Sequence, residues 1–346
     1  MEHYDPLLNQ SNSDDNFFQE KEDLFEVQEC IEKLKLDFES EFGENIENCF
    51  SDGIEKSCKV HKFIFDEATK ESDPEKRKVI NLAHLKLESE NHLNTKTTSP
   101  YGDKIGNSGK PLSETIITDF SYNQMLASGQ EILKGSGNEK LRIDNNEIVD
   151  VFQNFSEDFL EITKILNDNH PDVDSKAKER TAIMAAVQNQ LDEYFGNTNR
   201  DAGKNNKKMY KKTKTRNLHD FKGQSSATCT ELSMLAQQLV SFAGVKSKFI
   251  SGGPLEINNG ENDNSASSDD THVFNILYFQ KEDGESAYLY DPANPMFIKN
   301  ESDQSGITRC KYIAPLTKEQ LERMKSQRNI NIIHEGTNRV YHMSRI

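Results

Sequence analysis

From residue 223 to 253 the chain reads GQSSATCTELSMLAQQLVSFAGVKSKFISGG, and few arrangements suit that stretch. Leu232, Leu235, Ala236, Leu239, Val240 and Ala243 recur at i, i+3, i+4, i+7 and onward without a gap, the pattern of one helix laid on a core. Thr228 is a suitable N-cap and Gly244 a suitable stop, and residues 245–250 have the composition of a strand. The helix therefore opens on Cys229. Unpaired amides and the helix dipole favour a thiolate at such a position, and the thiolate is the nucleophilic form of cysteine.

Two residues downstream complete a chemistry. His272 lies in THVFNIL and Asp291 in YLYDPANP. Residues 271–279 read as a strand, in which alternation groups His272, Phe274, Ile276 and Tyr278. KEDG at 281–284 reads as a turn and 287–291 as the returning strand. A four-residue loop puts Asp291 opposite Phe274 and diagonal to His272, roughly 7–8 Å away at the backbone. This predicts a Cys-His-Asp triad that needs neither metal nor cofactor. Cys229 attacks a carbonyl, His272 takes the thiol proton and returns it to the leaving amine, and Asp291 orients the imidazole. The Cys229 backbone amide and the Gln224 side-chain amide are the candidate oxyanion donors. His219, ten residues before Cys229, is a rival for the base.

Together these residues resemble the transglutaminase-like superfamily of cysteine enzymes. The likeness rests on Cys229-Thr-Glu231, the Leu-rich helix, Gly244, the strand with Gly252, Thr271-His272-Val-Phe274-Asn275 and Asp291-Pro292. It covers roughly residues 220–300 and extends at most to Leu316. Phe274 stands where members often carry Trp, and Asn275 where an acid is frequent. The resemblance implies an α+β fold: a papain-like or transglutaminase-like core whose cysteine helix packs on an antiparallel sheet. It implies an acyl-enzyme step on peptide or protein amides. Crosslinking acyl transferases, glutamine deamidases, peptidases, amidases and catalytically dead members share these features. With no calcium-site signature in the sequence, deamidation or peptide-bond hydrolysis is preferred to crosslinking. Two alternatives stay open: a scaffold that keeps the fold for binding alone, and a secreted effector that modifies a host protein.

Outside this core the chain is organised by helical stripes and one linker. Only 34% of the 346 residues are hydrophobic and 29% are charged, too polar for one core along the full length. Residues 1–93 read as an acidic, mainly helical or partly disordered region, with a helix at 16–38, a short strand at 60–65 and a helix starting at Pro74. Residues 94–112, rich in Thr, Ser, Gly, Asn and Pro, read as a linker. Residues 113–346 then hold a helical lead-in and the catalytic unit, with its core at about 220–316. Helices are expected at 113–133, 146–166 and 176–195, the last stopped by Gly196. The basic run 204–216 reads as a solvated loop, or as an electrostatic guide for an acidic substrate. A polar excursion spans 256–270, a strand lies at 308–314, a short helix is capped by Thr317 and Gln320, and a hairpin pairs 330–334 with 339–343.

A net charge of −16 argues against nucleic acid as a general partner. Cys30, Cys49, Cys58, Cys229 and Cys310 are scattered and contain no C-x-x-C pair, which supports neither a disulfide framework nor a zinc site. No apolar run is long enough to span a bilayer, and the N-terminus does not resemble a Sec-type signal. The expectation is a cytoplasmic protein with a polypeptide substrate, although a specialised secretion route leaves no such mark. Nothing in the sequence specifies an oligomeric state.

Overall fold

Helical periodicity builds the first part of the chain as α1 (Ser11–Phe42), α2 (Ile46–Ser51), α3 (Ile54–Lys70) and α4 (Pro74–Asn91). The computed structural model describes residues 11–91, 125–126, 128–129, 131–134, 139–196, 202–211, 213–256, 272–281, 284–293, 296–299, 308–311, 313–319, 329–334 and 339–344. Val27, Ile31, Leu34 and Phe38 form the buried stripe of α1, packed on Val60, Phe63 and Ile64 of α3 and Ala83 and Leu87 of α4. The strand expected at 60–65 is corrected to the middle of α3. Its apolar run is ambiguous in a short window, but Val60, Ile64 and Ala68 continue at helical spacing beyond it. Residues 94–112 lie outside the described residues.

A small sheet and three helices follow. β1 (Glu131–Lys134) and β2 (Glu139–Arg142) are antiparallel, and a 3₁₀ turn at Asn145–Ile148 leads into α5 (Val149–Asn169). The helix expected at 113–133 is thus a strand from residue 131, and residues 113–124 are not among those described. α6 (Ser175–Phe195) starts where Asp174 accepts the amide of Ala177 at 2.8 Å, and ends at Gly196, whose φ of 72° suits glycine. The first half of the basic run expected as a loop is helical, in α7 (Ala202–Met209); a turn at 210–211 follows, and the run ends in β3 (Thr215–Asn217), which pairs parallel to β2.

The long helix α8 (Cys229–Phe242) and the main sheet complete the fold. The strands are β4 (Lys246–Glu256), β5 (His272–Lys281), β6 (Gly284–Tyr290), β7 (Met296–Lys299), β8 (Thr308–Lys311), β9 (Ile313–Pro315), β10 (Asn329–His334) and β11 (Arg339–Ser344). Six of them form one antiparallel sheet in the order β10-β11-β4-β5-β6-β9, while β7 and β8 pair apart. The architecture is α+β. β10 and β11 form the hairpin expected near the end of the chain. Residues 257–270 of the polar excursion, and most of the helix expected after Thr317, lie outside the described residues. Among the described residues no helix is long and apolar enough to cross a membrane.

α8 is enclosed on every side: each side chain from Thr230 to Phe242 is buried. Its apolar stripe joins a core that includes Phe152 and Phe155 of α5, Val187 and Leu191 of α6, and Leu277 of β5. Its neutral polar residues are spent on specific partners. Ser233 donates to the Val273 carbonyl (3.0 Å), and Gln237 donates to Ser241 (2.9 Å) and Ser247 (2.6 Å). Gln238 donates to Asn145 (2.7 Å) and Leu126 (3.0 Å), and accepts the Leu126 amide (2.7 Å). A buried polar group without a partner costs about 1–3 kcal/mol, so these bonds fix the helix against both the sheet and the preceding loop.

The N-terminal helices share this core. Phe65 of α3 and Leu85 of α4 belong to the α8 cluster. Phe242, the last residue of α8, stacks on His84 at 4.3 Å and lies 4.8 Å from Phe152. His84 meets His61 ring to ring, with Nε2 2.7 Å from Nδ1 of His61, and both imidazoles are buried. Gly244 follows at φ 73°, and a Cβ there would stand 2.5 Å from the Lys62 backbone nitrogen. Ion pairs at the rim, Lys246 with Glu55 (2.7 Å) and Lys62 with Glu179 (2.8 Å), add only about 0.2–1 kcal/mol each.

Two outcomes follow from this contact. Gly244→Ala destabilises the protein by at least about 1–3 kcal/mol, from left-handed strain and collision with α3, whereas Gly203→Ala, in open space on α7, does not. Thermal unfolding of both variants checks the contrast. The second concerns pH. Burial, then the neighbouring His61, holds the His84 imidazole well below its ordinary range. The folded protein therefore binds this proton less readily than the unfolded chain, and stability falls as pH drops below about 6.5. In urea titrations between pH 7 and 5, wild type loses stability more steeply than His84→Asn, by up to about 1.4 kcal/mol per pH unit. Equal slopes would remove His84 as the origin.

Candidate active site

Cys229 is the first residue of α8 and is partly buried against the main core. A capping box fixes the helix start. The Thr228 side chain accepts the Glu231 amide, and Glu231 Oε2 accepts the Thr228 amide (2.9 Å) and hydroxyl (2.8 Å). The box closes on the amides of Thr228 and Glu231, and that of Cys229 is not part of it. Glu231 is 0% exposed, which is unusual for a carboxylate unless hydrogen-bonded, and a third donor reaches it from the residue just past α7. The hydroxyl of Tyr210, itself buried, donates to Glu231 Oε1 at 3.3 Å. Burial, then the Glu231 carboxylate, pushes the Tyr210 phenol upward, so it stays a donor.

The loop before Cys229 is braced as well. Gly223 and Ser225 donate backbone amides to the carbonyls of Tyr194 (2.8 Å) and Phe195 (3.0 Å), at the end of α6. Asn206 of α7 donates to the Ser226 carbonyl at 2.9 Å. Ser225 has φ 46°, a left-handed conformation that only an over-determined loop sustains. Gln224 sits in this turn, exposed, and its side chain makes no hydrogen bond among the described residues. His219, the rival base, is exposed on the turn Leu218–Phe221.

The other two triad candidates lie near one end of the main sheet. His272 opens β5 and pairs in register with Gly252; its side chain is outside what is described. Ser233, one turn into α8, bonds to Val273, the residue after His272. One turn of helix is about 5.4 Å, so the start of α8 lies over the end of β5 that His272 occupies. The β5–β6 turn is tighter than KEDG suggests, since Lys281 pairs with Gly284. The register is nonetheless that of a four-residue loop, with Asn275 opposite Tyr290. One further step puts Asp291, just past β6, opposite Phe274. Asp291 is 1% exposed and accepts the Ala293 amide at 3.1 Å. Neither Cys229 nor Asp291 is without further interactions.

Asn275, where an acid was noted as frequent, donates to the Ser233 carbonyl (3.3 Å) and to Gln237 (3.1 Å), and so helps dock α8 on β5. The sequence argument missed the supports of the site: Glu231 as a buried cap, Tyr210 and Asn206. A signal for the last two exists in the i, i+4, i+8 spacing of Ala202, Asn206 and Tyr210, all buried. The remaining described thiols sit in different surroundings. Burial pushes Cys30 up to about 11 and Cys58 up to about 12, and burial, then the Glu44 carboxylate, raises Cys49. Among the described residues no group of three or more His, Cys, Asp or Glu side chains is arranged to hold a metal ion.

Removing the Tyr210 hydroxyl takes a donor from a buried carboxylate. Tyr210→Phe therefore destabilises the protein by about 1–3 kcal/mol, while Lys207→Ala, on the outer face of the same helix, changes stability by less than about 0.5 kcal/mol. Urea unfolding measures both. No protein-family model matches the chain, and neither does any curated protein or solved structure.

Proposed function

We propose that the protein is a cysteine-dependent acyl-transfer enzyme of transglutaminase-like type, acting on peptide or protein amides. The observation that carries this reading is Cys229 itself: a cysteine at the first position of a fully buried helix, over the end of the strand that His272 opens. A helix start held by Thr228, Glu231 and the braced 223–226 loop keeps a nucleophile in one place, which is where much of the rate advantage of an enzyme originates.

In this mechanism Cys229 Sγ attacks the amide carbonyl while His272 accepts the thiol proton. The resulting oxyanion takes the Cys229 backbone amide and, in this reading, the Gln224 side-chain amide. Collapse breaks the C–N bond, His272 protonates the leaving amine, and a thioester remains. Water then gives the acid, so that a glutamine becomes a glutamate or a peptide bond is cut; an amine in place of water gives a crosslink. Asp291, buried beside the β5–β6 register, orients the imidazole. α8 faces Val273, Asn275 and Leu277, whereas His272 shares register parity with Phe274 and Ile276. The triad reading therefore requires the His272 imidazole to reach Cys229 around the end of β5, where its pairing with β4 stops.

Iodoacetamide near neutral pH is expected to alkylate Cys229 ahead of Cys30, Cys49 and Cys58, whose burial disfavours the thiolate. Even labelling of all these thiols removes the activated nucleophile. Intact-mass analysis of protein mixtures exposed to wild type and Cys229→Ala then separates the reactions. A Cys229-dependent gain of about 1 Da at glutamine marks deamidation, new termini mark hydrolysis, and isopeptide-linked species mark crosslinking. No Cys229-dependent change favours a binding scaffold.

A further inference from the structure

The segment from Lys204 to Arg216 contains seven basic residues and no acid, in a chain with 58 acidic and 42 basic residues. Folding sorts it into two faces. Ala202, Asn206 and Tyr210 point inward and are buried. Lys204, Lys207, Lys208 and Lys211, at i, i+3, i+4 and i+7, form an exposed outer stripe, with Lys214 beyond it. They contrast with several other lysines of the protein. Lys56, Lys59, Lys62 and Lys246 each sit within 3.3 Å of a carboxylate. Lys204, Lys207, Lys208 and Lys211 make no ion pair among the described residues, and Lys214 has Glu139 only at 3.9 Å.

The stripe is fixed relative to Cys229. Its inner face holds the Ser226 carbonyl and the Glu231 carboxylate, three residues before and two after the cysteine. A helix with its side chains is about 10–12 Å across, so the ammonium groups lie about that distance from the loop leading to Cys229. That exceeds the Debye length at physiological salt, about 8 Å, so the lysines act on the part of a substrate that lies against them rather than on the reacting amide.

We propose that the outer face of α7 docks an acidic segment of the polypeptide substrate, beside the amide presented to Cys229. This rests on the acyl-transfer reading above and adds the substrate's charge to it. Charge complementarity carries it: Lys204, Lys207 and Lys208 of α7 and Lys211 just past it, with no ion pair among the described residues, attract a run of Asp and Glu, while the acidic remainder of the molecule repels such a segment from other places. Nucleic acid is the disfavoured occupant. The aromatic side chain within the run, Tyr210, is 1% exposed and has no face to offer a base.

The test uses the full-length protein and a fluorescein-labelled dodecamer of glutamate, followed by fluorescence anisotropy. Wild type and Cys229→Ala bind the peptide equally, and binding weakens as salt rises from 50 to 300 mM. The triple variant K204E/K207E/K208E binds at least tenfold more weakly, and the neutral K204Q/K207Q/K208Q falls between, while both keep wild-type alkylation of Cys229 as the check on folding. Absence of peptide binding to wild type, undiminished binding by the charge-reversed variant, or tighter binding of a dodecamer of thymidylate than of the peptide overturns the proposal. Because Cys229→Ala retains docking, a failure of catalysis and a failure of docking are read separately.

Discussion

Everything in this fold has to satisfy one helix. α8 is buried from Thr230 to Phe242, so water solvates none of its polar side chains, and each needs a partner inside the protein. The sheet meets this demand on one side through Val273, Asn275 and Ser247, and the loop ahead of α5 meets it on another through Leu126 and Asn145. A slip of α8 along its axis would break these bonds together. The position of Cys229 is thereby set by contacts made along the length of the helix as well as by those at its start.

Much of this was legible. The apolar stripe of α8, its stop at Gly244, the α6 boundary at Gly196, the C-terminal hairpin and the β5–β6 register all follow from local rules. The enclosure of α8 had a signal too: CTELSMLAQQLVSF holds a single charged residue in a chain that is 29% charged. A surface helix here would carry Lys or Glu opposite its stripe, whereas Ser and Gln can be buried if bonded. The strand expected at 60–65 failed because a six-residue apolar run is compatible with both periods. The loop expected at 204–216 failed because six lysines mask a three-residue inward stripe. What no local rule reports is pairing across distance, such as His61 with His84, Asn81 with Ser156 or Tyr210 with Glu231.

At the site, rigidity and charge come from different parts of the sequence. Rigidity comes from a carboxylate placed two residues after the cysteine and turned back to start the helix, with the phenol of Tyr210, just past α7, bonded to its other oxygen. Charge comes from the same α7, whose outer residues leave the molecule's acidic average. One short helix thus braces the cysteine loop with its inner face and carries exposed lysines on its outer face.

The aromatic end of α8 has a consequence for how the chain can be divided. Phe242 touches His84, Phe65 and Phe152, so its surroundings are supplied by segments that lie up to 177 residues earlier in the chain. During synthesis the N-terminal helices emerge long before α8 exists, and the apolar side of α3 and α4 waits uncovered until it does. Cutting the chain within 94–112 would leave two fragments, each presenting the other's missing half as exposed hydrocarbon. Recombined in one tube, such fragments are suited to reassociate, in the manner of a split protein whose halves recognise each other through their shared core.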